Sequence, residues 1–448
     1  MRILLTLLFT FTLFQSAYSQ NQLSLEDAIR IALQKNTTLN QFDNSIATYE
    51  SSKLAAFGNF LPSLSASGSW DWSRNENAAR KINIDGLDVD VPESTSETRT
   101  YGVGVNSSLV LFDGLSNFAN LSQSTKELES AKLILGRLKQ EVVFQTISLY
   151  YSVVEIEQLL NVRNEDVKQQ QKTLETIEER NRLGAVTLAD VYQQQVQLGN
   201  AELEVIRTQN NLEIAKSNLL YYLGLDVLEN VEFAKDLSNE EKLSIKTDIE
   251  ADYKMISELV DQAINSRKDF ISKQLDLESA YDGVTIARSG HLPRLTGGAS
   301  FGSSANTFDN LFESKRYSAG LTLSIPIFSG FSVSNQVQFA EVRAMNTELE
   351  LNDLERKIKQ DIQQSLLDLQ AATKALIVSE KNVNAAEENL KIEREKYSLG
   401  AGKLLDVLIA NTFFTNAQTN FINNQFNYIR LSEQLKYNLG ILDHTLYE

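Results

Sequence analysis

The sequence contains no cysteine, which excludes disulfides, thiolate metal sites and a lipid-bearing N-terminal Cys. Its two histidines, His291 and His444, are isolated and have no neighbours at metal-ligand spacing. The Gly-x-Gly pairs at Gly102/Gly104 and Gly400/Gly402 lack the context of a phosphate-binding loop. With no nucleophile elbow either, the chain reads as a non-enzyme that needs no cofactor and no metal. Only four prolines occur, Pro62, Pro92, Pro293 and Pro326, all in or beside segments that alternate in polarity. After the N-terminus no window holds eighteen apolar residues, so no helix is suited to cross a membrane. Basic residues are in deficit. The net charge is −17, and an acidic chain of this kind is a poor nucleic-acid binder.

What is present begins with Arg2, an apolar run from Ile3 to Phe14 and then Gln15-Ser16-Ala17-Tyr18-Ser19. This predicts a secretory signal peptide over 1–19, cut after Ser19. A cysteine-free exported protein fits the bacterial envelope.

The longest organised stretch is a proline-free segment from 115 to 222. Leu138, Val142, Leu149, Val153, Ile156 and Leu160 recur at helical spacing, and Leu160, Val167 and Leu174 then settle to a heptad. The pattern breaks once, at Asn181 to Thr187. There Gly184 can end one helix and Thr187 can cap the next. The expectation is a helical hairpin over 115–222 with its tip near 184. A helix from Leu115 to Arg182 would be about 100 Å long, far more than a bilayer's hydrocarbon core of about 30 Å.

Before this hairpin lie two short helices and two alternating segments, 64–74 and 99–112. Leu64, Ala66, Trp70 and Trp72 interleave with Ser65, Ser67, Ser69 and Asp71, and Tyr101, Val103 and Val105 with Gly102, Gly104 and Asn106. Each reads as a strand with one apolar and one polar face, joined by a polar loop from Arg74 to Glu97. The same programme recurs. Leu292-Pro293 matches Leu61-Pro62, strands are expected at 294–303 and 316–328, and a hairpin over 330–440 has its tip near 400. Phe112 and Phe328 are 216 positions apart, as are Gly184 and Gly400. The chain therefore divides into a first repeat, 20–223, an acidic collar segment, 224–267, with a helix from Ile249 to Ile264, and a second repeat, 268–448.

Strands of about ten residues with one apolar face suit a water-filled transmembrane barrel. Trp70, Trp72, Tyr101 and Tyr317 would form one aromatic girdle, Phe112 and Phe328 the other. Four strands cannot close alone, and open edges cannot stand in lipid. Three copies would supply twelve strands, with the rods side by side as an α-helical tube. The rival is a structural envelope-spanning coiled-coil protein or adhesin without a pore.

At this point the sequence resembles the TolC-like outer-membrane efflux proteins. The resemblance covers nearly the whole mature chain. It rests on Leu23-Ser24-Leu25-Glu26-Asp27-Ala28, the two Leu-Pro strand starts, Leu111-Phe112-Asp113-Gly114 with Ile327-Phe328-Ser329-Gly330, and the two tips, Arg182 to Val191 and Tyr397 to Leu408. It implies a mainly α fold with membrane β: a homotrimeric twelve-stranded barrel in outer-membrane lipid, continuous with a periplasmic tunnel. It also implies a periplasmic adaptor that docks on the tips and couples to an inner-membrane pump in efflux or type I secretion. By resemblance, Leu183, Gly184, Thr187, Leu399 and Gly400 sit at the adaptor contact, or serve only as turn and cap residues. Asp406 and Tyr397 match the family's periplasmic gate. The gate's Arg position is Gly402, with Lys403 beside it, and the second acidic position is Ile409. Asp406 is thus either a single gate carboxylate or an ordinary solvated one.

Overall fold

A computed structural model of the chain describes residues 23–228, 231, 253–443 and 445. The signal segment, residues 232–252 of the collar and His444 lie outside them. The elements in order are α1 Leu25–Lys35, α2 Thr37–Gly58, β1 Ser63–Asn77, β2 Arg80–Ile84, β3 Leu87–Val91, β4 Ser94–Phe112, α3 Ser116–Arg182, α4 Leu188–Tyr222, α5 Tyr253–Ser266, α6 Lys268–Ser289, β5 Arg294–Ala305, β6 Lys315–Ser324, α7 Ser332–Ser398 and α8 Leu404–Asn438.

The duplication is written into the backbone. Helices α3 and α7 are 67 residues each, α4 and α8 are 35 each, and both pairs start 216 positions apart. Positive φ occurs at Gly114, Leu115, Gly184 and Gly224, and again at Gly330, Phe331, Gly400 and Gly440. Two of these glycines are required by close approach as well as by φ: a Cβ on Gly114 would lie 2.7 Å from the Leu292 Cβ, and one on Gly224 2.7 Å from the Lys35 carbonyl oxygen.

The described residues fall into two compact units, one within 1–42, 135–267 and 357–448, the other within 43–134 and 268–356. In the first, α1 is capped by Ser24, whose hydroxyl accepts from the Asp27 amide at 3.1 Å. Asn36 joins α1 to α2. Its carbonyl oxygen accepts from the Leu39 amide, and its amide donates to the Tyr222 carbonyl at 3.1 Å. The core of this unit gathers Ile29, Val143, Val153, Leu219 and Phe426, all fully buried. Each such side chain contributes about 1.5–3 kcal/mol relative to exposure.

The second unit holds the sheet, order β1-β4-β5-β6, antiparallel throughout, with β1 and β6 as open edges. Its two faces differ. Leu64, Trp70, Tyr317 and Leu321 stand exposed on one, Leu321 at 70%. The other carries Ser63, Ser65, Ser67 and Ser69 beside Ser108, Asn106, Gly104 and Gly102. Lys126 of α3 reaches α6, 2.8 Å from Asp282 and 3.5 Å from Glu278.

Three expectations need correction. The segment from Arg74 to Glu97 is not a loop. β1 and β4 stay paired out to Asn77 and Ser94, and between them β2 and β3 form a separate hairpin. The Asp85-Gly86 turn, both residues at positive φ, closes that hairpin, and this dipeptide was the overlooked signal. The last strand ends at Ser324 rather than at 328, because Ser324 pairs with Arg294, the first residue of β5, its one partner strand. The collar helix runs to Ser266 rather than ending at Ile264, and its expected start at Ile249 lies outside the described residues.

Candidate functional site

The two tips are built alike and capped differently. At the first, the Leu183 amide donates to the Glu179 carbonyl, the Gly184 amide to Asn181 at 2.9 Å and the Ala185 amide to Arg180 at 2.8 Å. Gly184 supplies the left-handed residue that this helix ending requires, at φ +75°. Thr187 and Asp190 then form a reciprocal capping box: the Asp190 amide donates to the Thr187 hydroxyl at 3.3 Å, and the Thr187 amide to the Asp190 carboxylate at 2.9 Å. The bonds from the Thr187 hydroxyl and amide hold that carboxyl below its ordinary value. At the second tip Gly400 sits at φ +74° and the Ala401 amide donates to the Lys396 carbonyl at 2.9 Å. Lys403, at the N-cap of α8, makes no side-chain cap bond. Leu183 and Leu399 are left 68% and 79% exposed on these turns.

Asp406 and Tyr397 are not joined by a hydrogen bond. Asp406 is exposed in the first turn of α8. Tyr397 packs against two buried clusters, one of Leu174, Ile177, Val191, Leu404 and Leu408, the other of Leu390, Val407 and Ala410. Its hydroxyl is buried and has no hydrogen-bond partner. The polar link at this end comes from Arg180 of α3. Its guanidinium lies 4.6 Å from the Tyr397 ring centroid and donates to the Tyr397 and Ser398 carbonyls, each at 3.3 Å. Nothing local in the sequence marks Arg180, because the contact joins two helices 217 positions apart.

Farther from the tips a polar relay crosses all four rods. Gln194 of α4 donates to the Gln170 side-chain and backbone oxygens of α3, each at 2.9 Å. Gln170 donates to Asp166 at 3.2 Å, Asn411 of α8 donates to the same carboxylate at 2.8 Å, and Arg394 of α7 donates to Asn411 at 3.2 Å. Burial pushes the Arg394 guanidinium down, against the opposing pull of Asp166. These residues, too, were missed in the sequence, where the Asn and Gln look like ordinary polar rod positions.

In the sheet, Trp70 pairs with Tyr101, and Tyr317 pairs with Phe301. Trp70, Trp72, Tyr101 and Tyr317 share the apolar face. Tyr317 stands in the row of Val105 and Ala66, four residues nearer the start of β1 than Trp70, about 13 Å along the strand. Phe112 closes β4 opposite Leu295, and Phe328 lies beyond β6 with its ring 5.5 Å from Phe331.

Four strands with one lipid-compatible face, two open edges and two long helical hairpins define a subunit of an oligomeric β-barrel channel with helical extensions. The sequence matches the outer membrane efflux protein family over residues 28–225 and 259–440, and the chain belongs to that family. TolC of Vibrio cholerae serotype O1 is 23% identical over 363 residues, 78% of this chain and 79% of that protein. The crystal structure of VceC from Vibrio cholerae superposes with a TM-score of 0.76 at 21% identity, covering 93% of this chain and 96% of that one. The Campylobacter jejuni CmeC outer membrane channel gives 0.79 at 19% identity, covering 94% and 88%. The protein is a bacterial outer-membrane efflux channel of the kind used in tripartite efflux and secretion systems, with a helical tunnel in the periplasm. Channels of this family are not enzymes, form trimers and work with adaptor and pump systems.

Proposed function

We propose that three copies of this chain close one twelve-stranded barrel and conduct substrates passively from a periplasmic adaptor and inner-membrane pump to the exterior. The observation that carries this reading is the sheet, four antiparallel strands with one apolar face and both edges unpaired. Copies joined edge to edge satisfy the backbone groups that lipid cannot. On this reading Trp70, Trp72 and Tyr101 meet the outer membrane interface, Tyr317 stands on the lipid face about 13 Å along the strand from Trp70, and Phe112 and Phe328 meet the inner interface. Leu183 and Leu399, held out by Gly184, Thr187 and Gly400, supply apolar anchors for the adaptor. Three Asp406 carboxylates ring the periplasmic entrance and attract cations, while Tyr397 and Arg180 hold the end of α7 against α3.

The test is reconstitution of the mature protein in planar bilayers. Discrete conductance steps from a trimer are expected, with a divalent-cation block that Asp406→Asn relieves. Well-folded protein that never conducts contradicts the duct, and a block unchanged in Asp406→Asn removes that residue from the gate.

A further inference from the structure

On the polar face of the sheet, Ser67, Gly104, Gly302 and Arg316 stand in one cross-strand row. The neighbouring rows are Ser69, Gly102 and Ser304 on one side, and Ser65, Asn106, Ser300 and Ser318 on the other. Arg316 is the one charged side chain in these three rows. It forms no ion pair or hydrogen bond among the described residues. The polar face of the paired strands carries one carboxylate, Asp71, four residues beyond Ser67 on β1, about 13 Å along a strand at the opposite edge from β6, and Glu313, in the connection just before β6, forms no ion pair with Arg316.

The wall around Arg316 is hollow. A concavity of about 330 Å³ is lined by Ser67, Ser69, Gly102, Gly104, Gly302 and Arg316, among others. Its floor is glycine, and a Cβ on Gly102 would stand 2.8 Å from the Ser69 hydroxyl oxygen, in the space the hollow leaves open. The arrangement combines hydroxyl donors, no side chain filling the floor and one free guanidinium fork. That fork pairs two N–H groups with two oxygens of a phosphate, sulfate or carboxylate.

We propose that this hollow is an oxyanion subsite in the barrel wall, with Arg316 as its anchor and Ser67 and Ser69 as hydroxyl donors. It rests on the reading that the polar face lines the lumen. Three copies place three such subsites around the passage, so that the barrel of a chain with net charge −17 favours anionic cargo.

The probe is tripolyphosphate, added at low salt to the barrel side of channels in planar bilayers. Wild type is blocked. With block expressed as a fraction of each channel's own unblocked current, Arg316→Gln raises the half-blocking concentration at least tenfold, and Arg316→Lys falls between it and wild type. Equal half-blocking concentrations for wild type and Arg316→Gln overturn the subsite. A second measurement needs no current: calorimetric titration of tripolyphosphate into the detergent-solubilised full chain. Binding heat lost in Arg316→Gln supports the subsite, and equal heats refute it. A wild type that binds the probe but never conducts contradicts the duct and leaves the subsite standing.

Discussion

Tyr397 separates two ways in which one residue can hold a helix end. Its hydroxyl is buried without a partner, so its contribution comes from the ring. Removing an unsatisfied buried hydroxyl recovers its desolvation cost, about 1 kcal/mol or more. Tyr397→Phe should therefore melt at or above the wild-type temperature, with unchanged resting conductance. Arg180→Ala should raise resting conductance, since it removes the two guanidinium bonds from α3 to the last carbonyls of α7. A leak in Tyr397→Phe, with none in Arg180→Ala, would show that the hydroxyl and not the guanidinium does the holding.

At the scale of elements, the rods and the turns that end them were legible because their determinants are local. A heptad seam, a proline-free run and a glycine followed by a capping threonine are read within a few residues. The 216-position offset then confirmed each half by the other. The β2–β3 hairpin was equally local in Asp85-Gly86, yet it was masked by the polarity of its surroundings. The Arg180 clamp and the Gln194–Gln170–Asp166–Asn411–Arg394 relay were not legible. They depend on how helices far apart in sequence set their registers against each other. Two predictions belong at this scale. Asn411→Ala leaves Asp166 and Arg394 without their shared partner and should cost about 1–3 kcal/mol, seen as a lower melting temperature. Replacing residues 78–93 by a two-residue Asn-Gly turn should leave trimer formation and conductance intact. β2 and β3 pair only with each other, and β1 already meets β4 at Asn77 and Ser94. A lost trimer would give the hairpin a structural role that its pairing does not show.

For the whole molecule, everything rests on how the two open edges are closed. An edge strand facing lipid strands its amides and carbonyls, each at a cost of several kcal/mol. Within one chain β1 and β6 stand at opposite edges of the sheet, so β6 of one copy and β1 of the next are the natural partners. The absence of native cysteine makes this directly measurable. Single cysteines placed along β1 and β6 in one chain, then oxidised in intact outer membranes, report edge-to-edge pairing on a denaturing gel. The account predicts a covalent ladder of two and three chains that stops at three, for one β1–β6 register. No crosslink at any register, or a ladder that continues past three, would contradict it.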